Sequence, residues 1–198
     1  IGTEESAGGV LLGWMGPLHF GNFQGLLSKV IWFALGIAMA YVTLTGLQLW
    51  VQRRREAPVW AFFSRMITTF GYGTATAMAG AGIGFFLALP LGAAIAWTAW
   101  GFILTSALCL AIGAVVLDED RLGDIMKGLL GLSLVSLPIF RLLAGGDGWP
   151  ALLTDGQTTV VGMDLAVLKG GGFVLAAMAW QRLRVPVADE APTPTPAE

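Results

Sequence analysis

The chain has 198 residues, of which 56% are hydrophobic and 12% charged, against ~25% charged in an ordinary soluble domain. A soluble domain of this size cannot bury so much apolar surface, so lipid is the expected solvent. The net charge of −2 gives no electrostatic footprint for nucleic acid, and no nucleic-acid partner is expected.

The first segment, 1–25, opens with the acidic, small-residue stretch IGTEESAGGV. It lacks the basic n-region of a signal peptide and reads as the end of a periplasmic N-terminal segment. Without an initiator Met, the chain is expected to begin part-way through a longer product. A membrane helix needs ~20 largely apolar residues, and the segments 26–51, 66–89, 91–117, 125–144 and 160–181 qualify. Pro90 divides the second from the third. The run Asp118, Glu119, Asp120, Arg121 divides the third from the fourth. A turn-rich loop, GGDGWPALLTD over 145–155, precedes the fifth. The bundle is expected to span 26–184, and the proline-rich tail 185–198 to be disordered.

Lys and Arg placement sets the expected orientation. With the N-terminus periplasmic and the C-terminus cytoplasmic, Arg53, Arg54, Arg55, Arg65, Arg121, Lys127, Arg182 and Arg184 fall inside, leaving Lys29, Arg141 and Lys169 outside. Trp14, Trp50, Trp149 and Trp180 fall near the expected helix ends, where indoles sit at headgroup depth. The fold expected is all-α: a polytopic bundle of about five transmembrane helices in a bacterial inner membrane.

Gly80, Gly82 and Gly84 lie inside an apolar helix, with no preceding strand and no following Lys-Ser/Thr, so they read as packing residues rather than a phosphate loop. Gly128 with Gly131, and Gly170, Gly171 and Gly172, read the same way. Cys109 is the one cysteine and His19 the one histidine, which excludes an intrachain disulfide, a Ser-His-Asp triad and a zinc site built from His and Cys. Asp118, Glu119, Asp120 and Asp124 are expected in a solvated inner loop, with cation attraction as the alternative. Asp124 is expected near a helix start, where the dipole favours an acid.

His19 lies just before the first span, in Pro17-Leu18-His19-Phe20-Gly21. A neutral imidazole at the membrane surface can ligate haem iron or anchor by hydrogen bonding. Its surroundings carry a pattern: Leu18, His19, Phe20, Gly21, Phe23 and Gly25, then Lys29 and Trp32, Gly36 in mid-helix, Thr45-Gly46, Trp50 and the closing arginines. This pattern resembles the PepSY-associated transmembrane family, the iron-regulated membrane proteins. The resemblance implies an inner-membrane protein of iron uptake with a periplasmic domain ahead of the pattern. In some members it implies a reductase that passes electrons to ferric siderophores through b-type haem. His19 is then the expected haem iron ligand. The spans from 66 to 181 hold no histidine, so further ligands would come from a missing N-terminal region, a partner subunit, a homo-oligomer, or a methionine such as Met39, Met78 or Met163. The alternative is a non-catalytic anchor or accessory subunit for a periplasmic domain or redox partner.

Lys169 falls inside the fifth apolar run, and a Lys at mid-membrane costs ~2.5–3.5 kcal/mol on insertion scales. Snorkelling toward Asp164 and the interface is one expectation. The other is an intramembrane polar cluster of Lys169, Asp164 and Arg141 lining an ion or proton pathway.

Overall fold

The computed structural model describes residues 7–20, 26–54 and 56–183. The expected tail 185–198, part of the histidine motif (21–25), Arg55 and Arg184 lie outside the described residues. The helices run in the order α1 (Ala7–Phe20), α2 (Leu26–Gln52), α3 (Pro58–Ala88), α4 (Ala94–Val115), α5 (Glu119–Leu143), α6 (Trp149–Thr154) and α7 (Thr158–Leu183), with a 3-10 turn Leu89–Leu91 after α3. No strand occurs among the described residues. Among the described residues five helices, α2, α3, α4, α5 and α7, are long and apolar enough to cross a membrane. The chain is an all-α, multi-pass membrane protein.

It divides into two compact units, Ile1–Arg54 and Arg55–Glu198. The first holds α1 and α2. α2 is apolar around its whole circumference, and every residue from 30 to 43 is exposed, as suits a helix whose solvent is hydrocarbon. Its hydroxyls do not demand a partner: Thr45 Oγ1 donates to the Tyr41 carbonyl at 2.7 Å, one turn back.

In the second unit α3 is the central helix, and α4 and α5 also touch each other. α4 packs on α3, α3 on α5, and α5 on α7, with the short α6 against α7. Lipid removes the hydrophobic drive between apolar helices, so close backbone approach has to hold them. Glycine supplies it. A Cβ on Gly80 or Gly101 would collide with Thr105 or with the Gly80 carbonyl, and one on Gly84 with the Trp97 carbonyl. Gly82 faces the other way, toward Leu137 of α5 at 2.8 Å. At the α5–α7 contact, a Cβ on Gly171 would stand 2.7 Å from the Gly131 carbonyl oxygen. Gly170 and Gly172 meet nothing within 4 Å, because successive helix positions turn ~100° apart. Gly128 is looser, 3.7 Å from Met178 Cε. Cys109, Leu122 and Met126 are buried where α3, α4 and α5 meet, beside Tyr72, Ile112 and Val116.

Several boundaries differ from those expected. α1 occupies much of a segment read as a simple periplasmic lead-in, and carries Pro17 inside it. α3 starts at Pro58 rather than at 66. Pro58 fits a first-turn position, where its missing N–H costs nothing, and the helix passes through Arg65 before the apolar run begins. The acids after α4 stand on a helix rather than in a loop. Asp118 caps α5, its Oδ1 accepting from the Arg121 N–H at 2.7 Å, and Glu119 and Asp120 fill the first turn, where the helix dipole favours them. The loop after α5 contains α6, again opened by a proline after the N-cap, Gly148.

Candidate functional site

The most enclosed charged group among the described residues is Asp164, 7% exposed in the second turn of α7. Arg141, in the last turn of α5, reaches it across the α5–α7 contact. Arg141 Nε donates to Asp164 Oδ2 at 3.0 Å, and Nη2 stands 2.8 Å from the same oxygen without the alignment of a hydrogen bond. Trp149 Nε1, from the first turn of α6, also donates to Oδ2 at 3.0 Å. Arg141 Nη1 donates to the Asp147 carbonyl at 2.8 Å, and Gly146 N–H donates to the Arg141 carbonyl at 3.0 Å. One carboxylate oxygen thus gathers α5, the loop and α6 onto α7. The buried charge is balanced by a guanidinium and an indole, the condition for a carboxylate to persist away from water.

The expected cluster is therefore present in part. Arg141 and Asp164 meet, and Trp149 and Asp147 join them. Lys169 does not. It is exposed, more than a turn beyond Asp164, and makes no hydrogen bond or ion pair among the described residues. Sequence reading missed Trp149 as a ligand of Asp164. The legible signal was Gly148-Trp149-Pro150, a helix start whose proline follows an indole.

The opposite end of this unit is held by weaker polar contacts. Ser64 Oγ donates to Glu119 Oε2 at 2.8 Å, and Arg182 pairs with Asp124 at 3.2 Å. The Arg182 and Asp124 side chains are 65% and 35% exposed, so solvent screening leaves that pair little net worth.

In the first unit His19 falls in the last turn of α1, shortly before α2; its side chain lies outside the described residues. At the far end of α2, the Arg54 guanidinium stands 4.6 Å from the centre of the Trp50 ring, a cation–π contact, and donates to the Trp50 carbonyl at 3.2 Å. Trp50 and Arg54 of the motif thus form one local unit at the end of α2.

One histidine cannot complete a bis-histidine haem site. A low-spin b-type haem needs two axial ligands, and His19 is the sequence's one histidine. Met39, Met78 and Met163 are 71%, 67% and 59% exposed and stand on different helices. Met126 is packed into the core beside Cys109 and Leu122. Among the described residues no three His, Cys, Asp or Glu side chains gather as a metal site.

No curated protein matches the chain, nor does any solved structure. A family model does match, that of the PepSY-associated TM region, over residues 2–53. That match ends before α3 begins and takes in His19, α1 and α2. Over these residues the multi-pass membrane protein is similar to a PepSY-associated TM region.

Proposed function

We propose that this chain is a membrane component of bacterial iron uptake that anchors and seats a periplasmic or redox partner in the inner membrane, without holding a complete redox centre of its own. The supporting observation is the union of a segment similar to the PepSY-associated TM region with a sequence that holds one histidine. A second reading follows from the place of His19, in the last turn of α1 next to the α2 span. In that reading the complete assembly is a ferric-siderophore reductase, with His19 one axial ligand of a b-type haem and the other ligand supplied from outside this chain. The optical spectrum of the purified, reduced full-length protein separates the two. An anchor gives no low-spin b-type spectrum that depends on His19. A low-spin spectrum abolished in His19→Ala and kept in Asn22→Ala would overturn the anchor and establish the reductase.

The proposed orientation places the N-terminus in the periplasm and the C-terminus in the cytoplasm. The Ser64–Glu119 and Arg182–Asp124 contacts bring the α3 start, the α5 start and the α7 end to one side of the second unit. Arg65, Arg121 and Arg182 lie there, while Arg141 lies at the other end, and an excess of Lys and Arg belongs inside. A reporter inserted at 116–118 should read as cytoplasmic, and one in the 145–148 loop as periplasmic. Reversed signals would invert the topology.

A further inference from the structure

A groove of about 380 Å³ runs between α3 and α4, lined by Phe62, Arg65, Met66, Thr69, Phe70, Leu110, Gly113 and Ala114. Its floor is the closest approach of the two helices here, Thr69 against the bare backbone of Gly113. Phe62, Met66 and Phe70 follow each other at four-residue spacing along one face of α3. Leu110 and Ala114 do the same on α4. Phe62, Phe70, Leu110 and Ala114 are exposed, so the groove opens outward. Arg65 is its one charged residue, half-buried, and makes no ion pair or hydrogen bond among the described residues. The neighbouring acid Glu119 accepts a hydrogen bond from Ser64.

Depth identifies the occupant. α3 has 31 residues, which at 1.5 Å each is ~46 Å, while the hydrocarbon layer is ~30 Å thick. Shared between its two ends, the excess is ~8 Å at each. Arg65 lies ~10 Å along the helix from Pro58, so its guanidinium stands where headgroup phosphates begin. From there the apolar groove leads past Met66 and Thr69 to Phe70 and Leu110, toward the membrane interior. A cation at phosphate depth over an apolar groove complements an anionic lipid.

We infer that this groove holds one anionic phospholipid, its phosphate on Arg65 and one acyl chain laid between α3 and α4. This goes beyond the anchoring role and stands whether or not a redox centre is completed elsewhere. The test titrates phosphatidylglycerol into the purified full-length protein in phosphatidylcholine-containing micelles and counts retained lipid by native mass spectrometry. The unaltered protein should retain one phosphatidylglycerol. Arg65→Gln should weaken retention about fivefold, the worth of one basic residue at a membrane surface. Ala114→Trp, which fills the groove and leaves the charge, should weaken it as well, and carries the test if Arg65→Gln fails to fold. Arg121→Gln removes an exposed cation near the same end and should change nothing. Retention unaffected by both Arg65→Gln and Ala114→Trp would overturn the site. So would equal loss in Arg121→Gln, the mark of general surface attraction, or displacement of the lipid by inorganic phosphate.

Discussion

Replacing Arg141 with methionine should destabilise the folded protein by ~3 kcal/mol, because it strands the Asp164 carboxylate in an enclosed site. Asp164 is 7% exposed, so water cannot take over from the lost guanidinium. Trp149 Nε1 would be its remaining donor, and one neutral indole does not balance a full charge. Asp164→Leu alone should cost a similar amount by orphaning Arg141. The double replacement Arg141→Met with Asp164→Leu should recover most of the loss, since a matched apolar pair removes both desolvation penalties. Lys169→Met is the control: an exposed cation outside the cluster should leave stability unchanged or slightly raised. Unfolding in mixed micelles, analysed as a double-mutant cycle, checks all four. Additive losses in the double variant would show that the two side chains are not coupled. A cluster that carries ions instead would keep its stability on Lys169→Met and lose transport.

The glycine contacts predict a contrast between adjacent positions. Gly171→Leu should destabilise the α5–α7 contact by ~1–3 kcal/mol, because its Cβ would meet the Gly131 carbonyl oxygen at 2.7 Å and Val135 Cγ2 at 2.9 Å. Backbone cannot move aside as a flexible side chain can. Gly170→Leu and Gly172→Leu should fall within ~0.5 kcal/mol of the unaltered protein, since nothing lies within 4 Å of either. The same micelle unfolding measurement applies. Equal effects at all three positions would mean that loss of backbone freedom, rather than helix contact, governs this stretch.

The five spans were legible because hydropathy in lipid depends on composition more than on partners. Pro90 and the 118–121 charge run marked two of the boundaries. The helix starts were read too late wherever a charged residue sits inside the helix. Arg65 and Asp124 lie beyond the apolar run but within the hydrogen-bonded ladder, and a hydropathy window stops at the first rather than the second. α6 was missed because six residues carry too little periodicity to distinguish a turn of helix from a loop. Of the polar cluster, Arg141 and Asp164 were singled out as lone charges in apolar surroundings. Lys169 was grouped with them by its expected place near the same outer leaflet, yet helix geometry places it on a different face from Asp164. The N-terminal pattern was legible residue by residue, and the family match covers its His19 and the whole of α2. No pattern in one sequence could say that α3 takes a neighbour on each side, since that depends on which glycines face which helix.

The order of these helix contacts in the chain bears on how the protein is made. Three spans of this unit each lean on one that precedes them in the chain: α4 on α3, α5 on α3, α7 on α5. As the chain leaves the ribosome and enters the bilayer, each of these three spans finds its partner already in place. The α3–α4 hairpin can close through Gly80, Gly84 and Gly101 before α5 has been synthesised. The far face of α3, with Gly82, stays vacant for exactly one later arrival. The Arg141–Asp164 pair closes last, and until α7 arrives Arg141 sits near the end of α5 where its charge can remain in the headgroups. Assembly from N- to C-terminus therefore leaves neither Arg141 nor Asp164 to wait unpaired in hydrocarbon.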